Sequence, residues 1–126
     1  MRGNKSALTK PELSLSKQLE EAGIRGIDAN YLGLPGTPDL VFLNKKLAIF
    51  VNGCFWHRCP YCNPHFPETN QEYWSAKFRR NKARDKRVKA SLQAIGWRVM
   101  IIWECQLKRN PSRVLRRIEI PIGEHN

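Results

Sequence analysis

The sequence predicts an α/β fold, a small mixed β-sheet flanked by helices, and three observations carry that expectation. Leu40 to Leu43 and Leu47 to Val51 are short apolar runs separated by Asn44-Lys45-Lys46, which reads as a β-hairpin. A long helical pattern from Gln71 to Ile95 follows, with Phe78, Val88, Leu92 and Ile95 at three- and four-residue steps. Trp97, Val99, Ile101 and Trp103 then alternate with a set that is itself partly apolar, so this strand is expected to be covered on both faces and to lie in the centre of the sheet. The element order is αββαβα.

The remaining elements follow from local chemistry. Thr9-Lys10-Pro11-Glu12 has the form of a capping box, and Leu15, Leu19 and Ala22 continue at helical spacing to a stop at Gly23, giving a first helix over about 10 to 22. Glu12 shares the burying face of that helix, where it serves either as the reciprocal cap to Thr9 or as an active-site acid. If the hairpin turns near Lys45 and Lys46, Asp39 falls beside Val51 and Asn52 at the end of the second strand. Asn110-Pro111 reads as an N-cap and first-turn proline for a last helix from Pro111 to Ile118.

Composition bounds the partners. The chain has 126 residues, 22 Lys and Arg against 11 Asp and Glu, and a net charge of +11. Such an excess points to a polyanion, nucleic acid first. Eight cations lie between Lys77 and Lys89, with Asp85 the only acid among them. A solvated helix face or an RNA contact would carry the same run. No stretch has the length of a membrane span and no apolar signal region follows Met1-Arg2-Gly3-Asn4-Lys5, so one cytoplasmic domain over 1–126, its core about 9–118, is expected, as a monomer with no membrane partner.

Three of the four cysteines, Cys54, Cys59 and Cys62, stand five and three residues apart in a segment marked as a loop by Pro60 and Pro64. With Cys105 they make a tetrahedral zinc set, and the competing reading is small buried hydrophobes. Asn81 and Asp85 complete the apolar stripe of the long helix. An inward carboxylate needs catalysis or an ion pair to offset its burial. Asp39 with a nearby His57 suits phosphodiester hydrolysis, since a carboxylate can hold a divalent cation while an imidazole moves a proton.

These residues carry a resemblance. Thr9-Lys10-Pro11-Glu12, the segment from Leu34 to Phe42, Gly53-Cys54-Phe55-Trp56-His57, Thr69 to Trp74, Asn81 to Asp85, and Gly96 to Cys105 occur in one order, and together the chain resembles the very-short-patch mismatch repair endonucleases. The resemblance implies a restriction-endonuclease-like fold, a structural zinc on Cys54, Cys59, Cys62 and Cys105, and a magnesium-dependent nick in double-stranded DNA at T·G mismatches, with mismatch-repair proteins as possible partners. It implies Asp39 and the main-chain carbonyl of Val51 as magnesium ligands, His57 as general base, Asp85 as the group that orients or charge-stabilises His57, and Glu12 in support of metal or phosphate. Phe55, Trp56 and Trp74 resemble the aromatics that wedge between base pairs; core packing is the alternative for them, although adjacent aromatics in an extended loop cannot easily bury together. Asn81, Arg79, Arg80, Lys82 and Arg84 are the expected DNA contacts.

Two departures stand out. Asn52 occupies a position where the family often has His or an acid, and an amide can bond a phosphate but cannot shuttle a proton. In the second half of the zinc loop the family mixes His and Cys, which leaves His65 as a competitor to Cys62. A general nicking or homing-type nuclease, and a zinc-stabilised binding module without catalysis, share most of these motifs.

Overall fold

The computed structural model describes residues 10–29 and 31–123, with side chains from Leu13 to Ile122. Thr9 and the side chain of Glu12 therefore lie outside the described residues. Helix α1 (Lys10–Glu21) buries Leu15 and Leu19 completely. It ends where Gly23, at φ 80°, takes the left-handed conformation a side chain would resist.

Strand β1 (Ile27–Ala29) follows and pairs antiparallel with β2 (Leu40–Phe42), placing Ile27 opposite Phe42. The sequence reading has no strand here, because three residues with two exposed cannot display a two-residue period. The hairpin is present: β2 pairs antiparallel with β3 (Leu47–Asn52), Leu40 against Ile49 and Phe42 against Leu47. A short 3₁₀ turn over Leu43–Lys45 links them, with Lys46 at φ 52°.

Helix α2 (Cys54–His57) is a single turn where an extended loop is expected. Helix α3 (Gln71–Ala94) then crosses the sheet and leads into β4 (Arg98–Trp103). Ile95 leaves the helical stripe and is 53% exposed, because the helix stops one residue before it. Helix α4 (Glu104–Arg109), also unanticipated, precedes α5 (Pro111–Gly123), which runs past the expected end at Ile118.

The sheet order is β1-β2-β3-β4, with β4 parallel to β3, so β4 is at the edge and not in the centre. Its two-sided apolar pattern has another cause. Helices cover both faces of the sheet, and a strand's side chains report what lies above and below it, not what pairs beside it. On one face Leu40, Phe42, Leu47, Ile49 and Ile102 pack with Leu15 and Leu19 of α1, Leu107 of α4, and Val114 and Ile118 of α5. On the other, Val41, Ala48 and Val99 pack with Val88 and Leu92 of α3. By the same alternation Phe50 and Asn52 face α3. Among the described residues no helix is long and apolar enough to cross a membrane.

Candidate active site and thiolate cluster

The hairpin register brings the candidate catalytic residues together. Asp39 precedes β2, one step beyond the Leu40–Ile49 pair, and its Oδ2 accepts a 2.7 Å hydrogen bond from the Val51 amide. Asn52, on the face toward α3, is the one polar residue among those described that is buried. His57 closes α2, and its Nδ1 lies 2.6 Å from Oδ2 of Asp85 on α3. That contact accounts for the inward carboxylate: Asp85 engages Nδ1 of His57 and leaves Nε2 as the ring nitrogen not engaged by it. Asp39, Asn52, His57 and Asp85 all line one cleft of about 510 Å³, rimmed by Arg84 and Lys89.

Gly36 forms the cleft's far wall. It has φ 76°, and a Cβ there would stand 2.4 Å from Cγ1 of Val88. Backbone thus packs directly on α3 and holds the segment leading to Asp39. Gly36→Ala is expected to cost about 1–3 kcal/mol through strain and overpacking, read as a lowered denaturation midpoint.

The turn of α2 arranges both the cysteines and the aromatics. Arg58 at φ 53° ends the turn, its amide bonding back to the carbonyls of Cys54 and Phe55, and the Cys59 amide reaches the Cys54 carbonyl at 3.0 Å. This folds Cys59 back on Cys54. The sulfurs of Cys54, Cys59, Cys62 and Cys105 all lie within 4.8 Å of one another, and Cys59 and Cys105 are 3.8 Å apart. A tetrahedral zinc with bonds of about 2.3 Å requires sulfur–sulfur edges of about 3.8 Å. The cluster fits a thiolate-bound metal. Amides of Cys105 and Tyr61 point at the sulfurs of Cys54 and Cys59, each at 3.4 Å, as expected around thiolates. His65 stands apart from the cluster, exposed and 3.5 Å from Glu68.

The environment acts unequally on three of these thiols. Burial pushes the Cys54 and Cys105 thiols up from their ordinary value. For Cys59 burial acts in the same sense, but hydrogen bonds from the Cys62 and Tyr61 amides outweigh it and hold that thiol down. Metal binding must displace the remaining protons, so affinity falls as pH falls.

Phe55 and Trp56 diverge because α2 is helical. Phe55 turns inward onto Trp74 and Phe78, with ring centroids 5.6 and 5.4 Å away, whereas Trp56 stays 47% exposed beside Trp74 at 5.7 Å. The aromatic cluster therefore has a packed base and an open tip. Asn81 joins α3 to α2 by donating to the Trp56 carbonyl at 3.2 Å. Arg79, Arg80, Lys82 and Arg84 are exposed on α3. The sequence reading gives Arg58 no role, yet its guanidinium lies 4.5 Å over Phe78 and donates to the Pro64 carbonyl at 2.7 Å, clamping the cysteine loop to the aromatics. An arginine set between aromatic and cysteine neighbours was the available signal.

Comparison with known proteins shows the family. The family model described as DNA mismatch endonuclease Vsr matches residues 1–63. Type II nicking enzyme V.XorIIP of Xanthomonas oryzae pv. oryzae is 42% identical over 103 residues, spanning 82% of this chain and 75% of the relative. Type II nicking enzyme V.NaeI of Lentzea aerocolonigenes is 44% identical over 108 residues, 82% of this chain and 64% of its own length. DNA mismatch endonuclease Vsr of Escherichia coli strain K12 is 44% identical over 75 residues, 60% of this chain and 48% of its own length. With half of its residues matched by the family model and 82% of its length aligned to a nicking relative at 42% identity, the chain belongs to the DNA mismatch endonuclease Vsr family and is a DNA endonuclease.

Proposed function

We propose that this endonuclease nicks one strand of duplex DNA at T·G mismatches, using magnesium in the catalytic cleft and a structural zinc in the thiolate cluster. The observation that supports the reading is the convergence of Asp39, buried Asn52 and the His57–Asp85 pair on one cleft with a cationic rim. The names of the nicking relatives support a single-strand cut, and that of the Escherichia coli enzyme supports a mismatched substrate.

The cleft's donor set fits magnesium, which is held by one or two carboxylates with phosphate and water completing its shell. Asp39 and the Val51 main-chain carbonyl would hold it, and when bound it offsets charge on the scissile phosphate and acidifies water. The chain's own residues do the rest. His57 takes the proton of the attacking water at Nε2, and Asp85 stabilises the imidazolium that results. Asn52 donates to a phosphate oxygen. Arg84 and Lys82, with Arg79 and Arg80 further along α3, neutralise the backbone around the cut. Nicking of T·G duplexes with magnesium and not with EDTA is the test; equal cutting of matched duplexes would make this a general nickase, and tight binding with no cutting would make it a binding module.

Trp56 and Trp74 form the mismatch wedge, with Phe55 as its packed base. A mismatched step is cheaper to unstack, and stacking on an aromatic is worth about 1–3 kcal/mol per base. Trp56→Ala with Trp74→Ala is therefore expected to lower activity on T·G duplexes about 10-fold or more, while circular dichroism stays native. A variant that unfolds instead would assign these rings to the core.

A further inference from the structure

We propose that Arg109, Arg113 and Arg117, on α4 and α5, form a second phosphate-binding track, separate from α3, that holds duplex DNA beside the nick. The proposal rests on the DNA-nicking reading above. Three clefts join end to end. The catalytic cleft shares Asn52, His57 and Asp85 with a second cleft of about 650 Å³, and the second shares Tyr61, Gln106 and Arg117 with a third of about 320 Å³ that reaches Arg109 and Arg113. A continuous groove thus runs from Asp39 past His57 and over β4 to α5.

The groove exists because β4 is an edge strand. Among the described residues no strand pairs beyond it, so its outer side is open. Arg117 occupies that opening: Nη2 donates to the Ile101 carbonyl at 3.4 Å and Nη1 to Oε1 of Gln106 at 3.5 Å. Gln106 is itself fixed, since the same oxygen accepts the Trp103 amide at 3.0 Å. Arg113 and Arg117 are four residues apart on α5 and share a face, and both are exposed, as is Arg109. No acidic residue lines the third cleft. Like charges at this spacing repel one another, and a run of phosphates converts that cost into attraction. Tyr61 of the thiolate loop, 69% exposed, lines the same cleft, so the cluster's fold also shapes the track.

The test is equilibrium binding of the zinc-loaded protein to a T·G-mismatched duplex in magnesium-free buffer across a salt series. Arg109→Ala with Arg113→Ala leaves Arg117, which caps β4, in place. The slope of log K against log salt is expected to shrink by about 2, near 0.9 for each phosphate no longer neutralised, and the apparent KM for nicking to rise about 10-fold. Arg109→Lys with Arg113→Lys should restore the slope, because a phosphate accepts a point charge. Arg25→Ala with Lys45→Ala removes equal charge from a cleft sharing no residue with the groove and should leave the slope as in the wild type. A wild-type slope in the Arg109/Arg113 variant, or an equal reduction in the Arg25/Lys45 variant, overturns the track while the endonuclease reading stands. A wild-type protein that binds without salt dependence sinks both.

Discussion

Asp39→Ala is expected to abolish nicking of a T·G duplex, and His57→Ala to lower the single-turnover rate about 10²-fold or more, as for loss of a general base. The two effects have different origins. Asp39 contributes the carboxylate proposed to hold magnesium, and it also accepts the Val51 amide at 2.7 Å, so alanine removes a structural bond as well. Asp39→Asn separates these roles, because an amide oxygen can still accept from Val51 but carries no charge for a cation. A folded, inactive Asp39→Asn protein supports the assignment; one that nicks at the wild-type rate removes Asp39 from the chemistry. Asp85→Asn should slow the reaction about 10-fold or more, since asparagine can still orient His57 but stabilises its protonated form less well. Measured rates for Asp85→Asn equal to wild type would reduce the 2.6 Å pairing to a packing feature.

Cys105→Ser is expected to have the largest effect on stability. Cys105 alone among the four sulfur donors comes from α4, so its thiolate ties the loop over 54–62 to the far end of β4. Structural zinc in small domains contributes an apparent binding free energy of about 10–16 kcal/mol, and loss of one ligand should forfeit enough to lower stability by more than about 2 kcal/mol. Zinc by elemental analysis should fall with it. Because buried thiols must lose protons to bind, wild-type zinc should also be released progressively as pH is lowered. A zinc-free wild-type protein, or a Cys105→Ser variant with an unchanged melting temperature, would return these cysteines to the role of small core residues.

The hairpin and the long helix were legible because each has many residues repeating one period. Leu40 to Phe42 and Leu47 to Asn52 emerged as strands, and Asp39 arrived beside Val51 as the turn at Lys45 and Lys46 implied. Helix α3 runs Gln71–Ala94, and its inward Asp85 meets His57. The elements that escaped were short. Ile27–Ala29 has three residues, and Cys54–His57 is one turn stabilised by the left-handed Arg58 and by side chains remote in sequence, so neither could announce itself by periodicity.

The chemical groups and their local order were already written in the chain: four cysteines, Asp39 near Val51 and Asn52, the inward Asp85, the aromatic pair and the basic helix. Tertiary structure alone decided how they divide space. It put β4 at the sheet's edge, turned Phe55 into the aromatic base while leaving Trp56 outside, separated His65 from the four sulfurs, and joined Arg117 to the catalytic groove. The reason is physical: a side-chain pattern records whether each face of an element is covered, whereas the identity of what covers it depends on contacts between residues far apart in the chain.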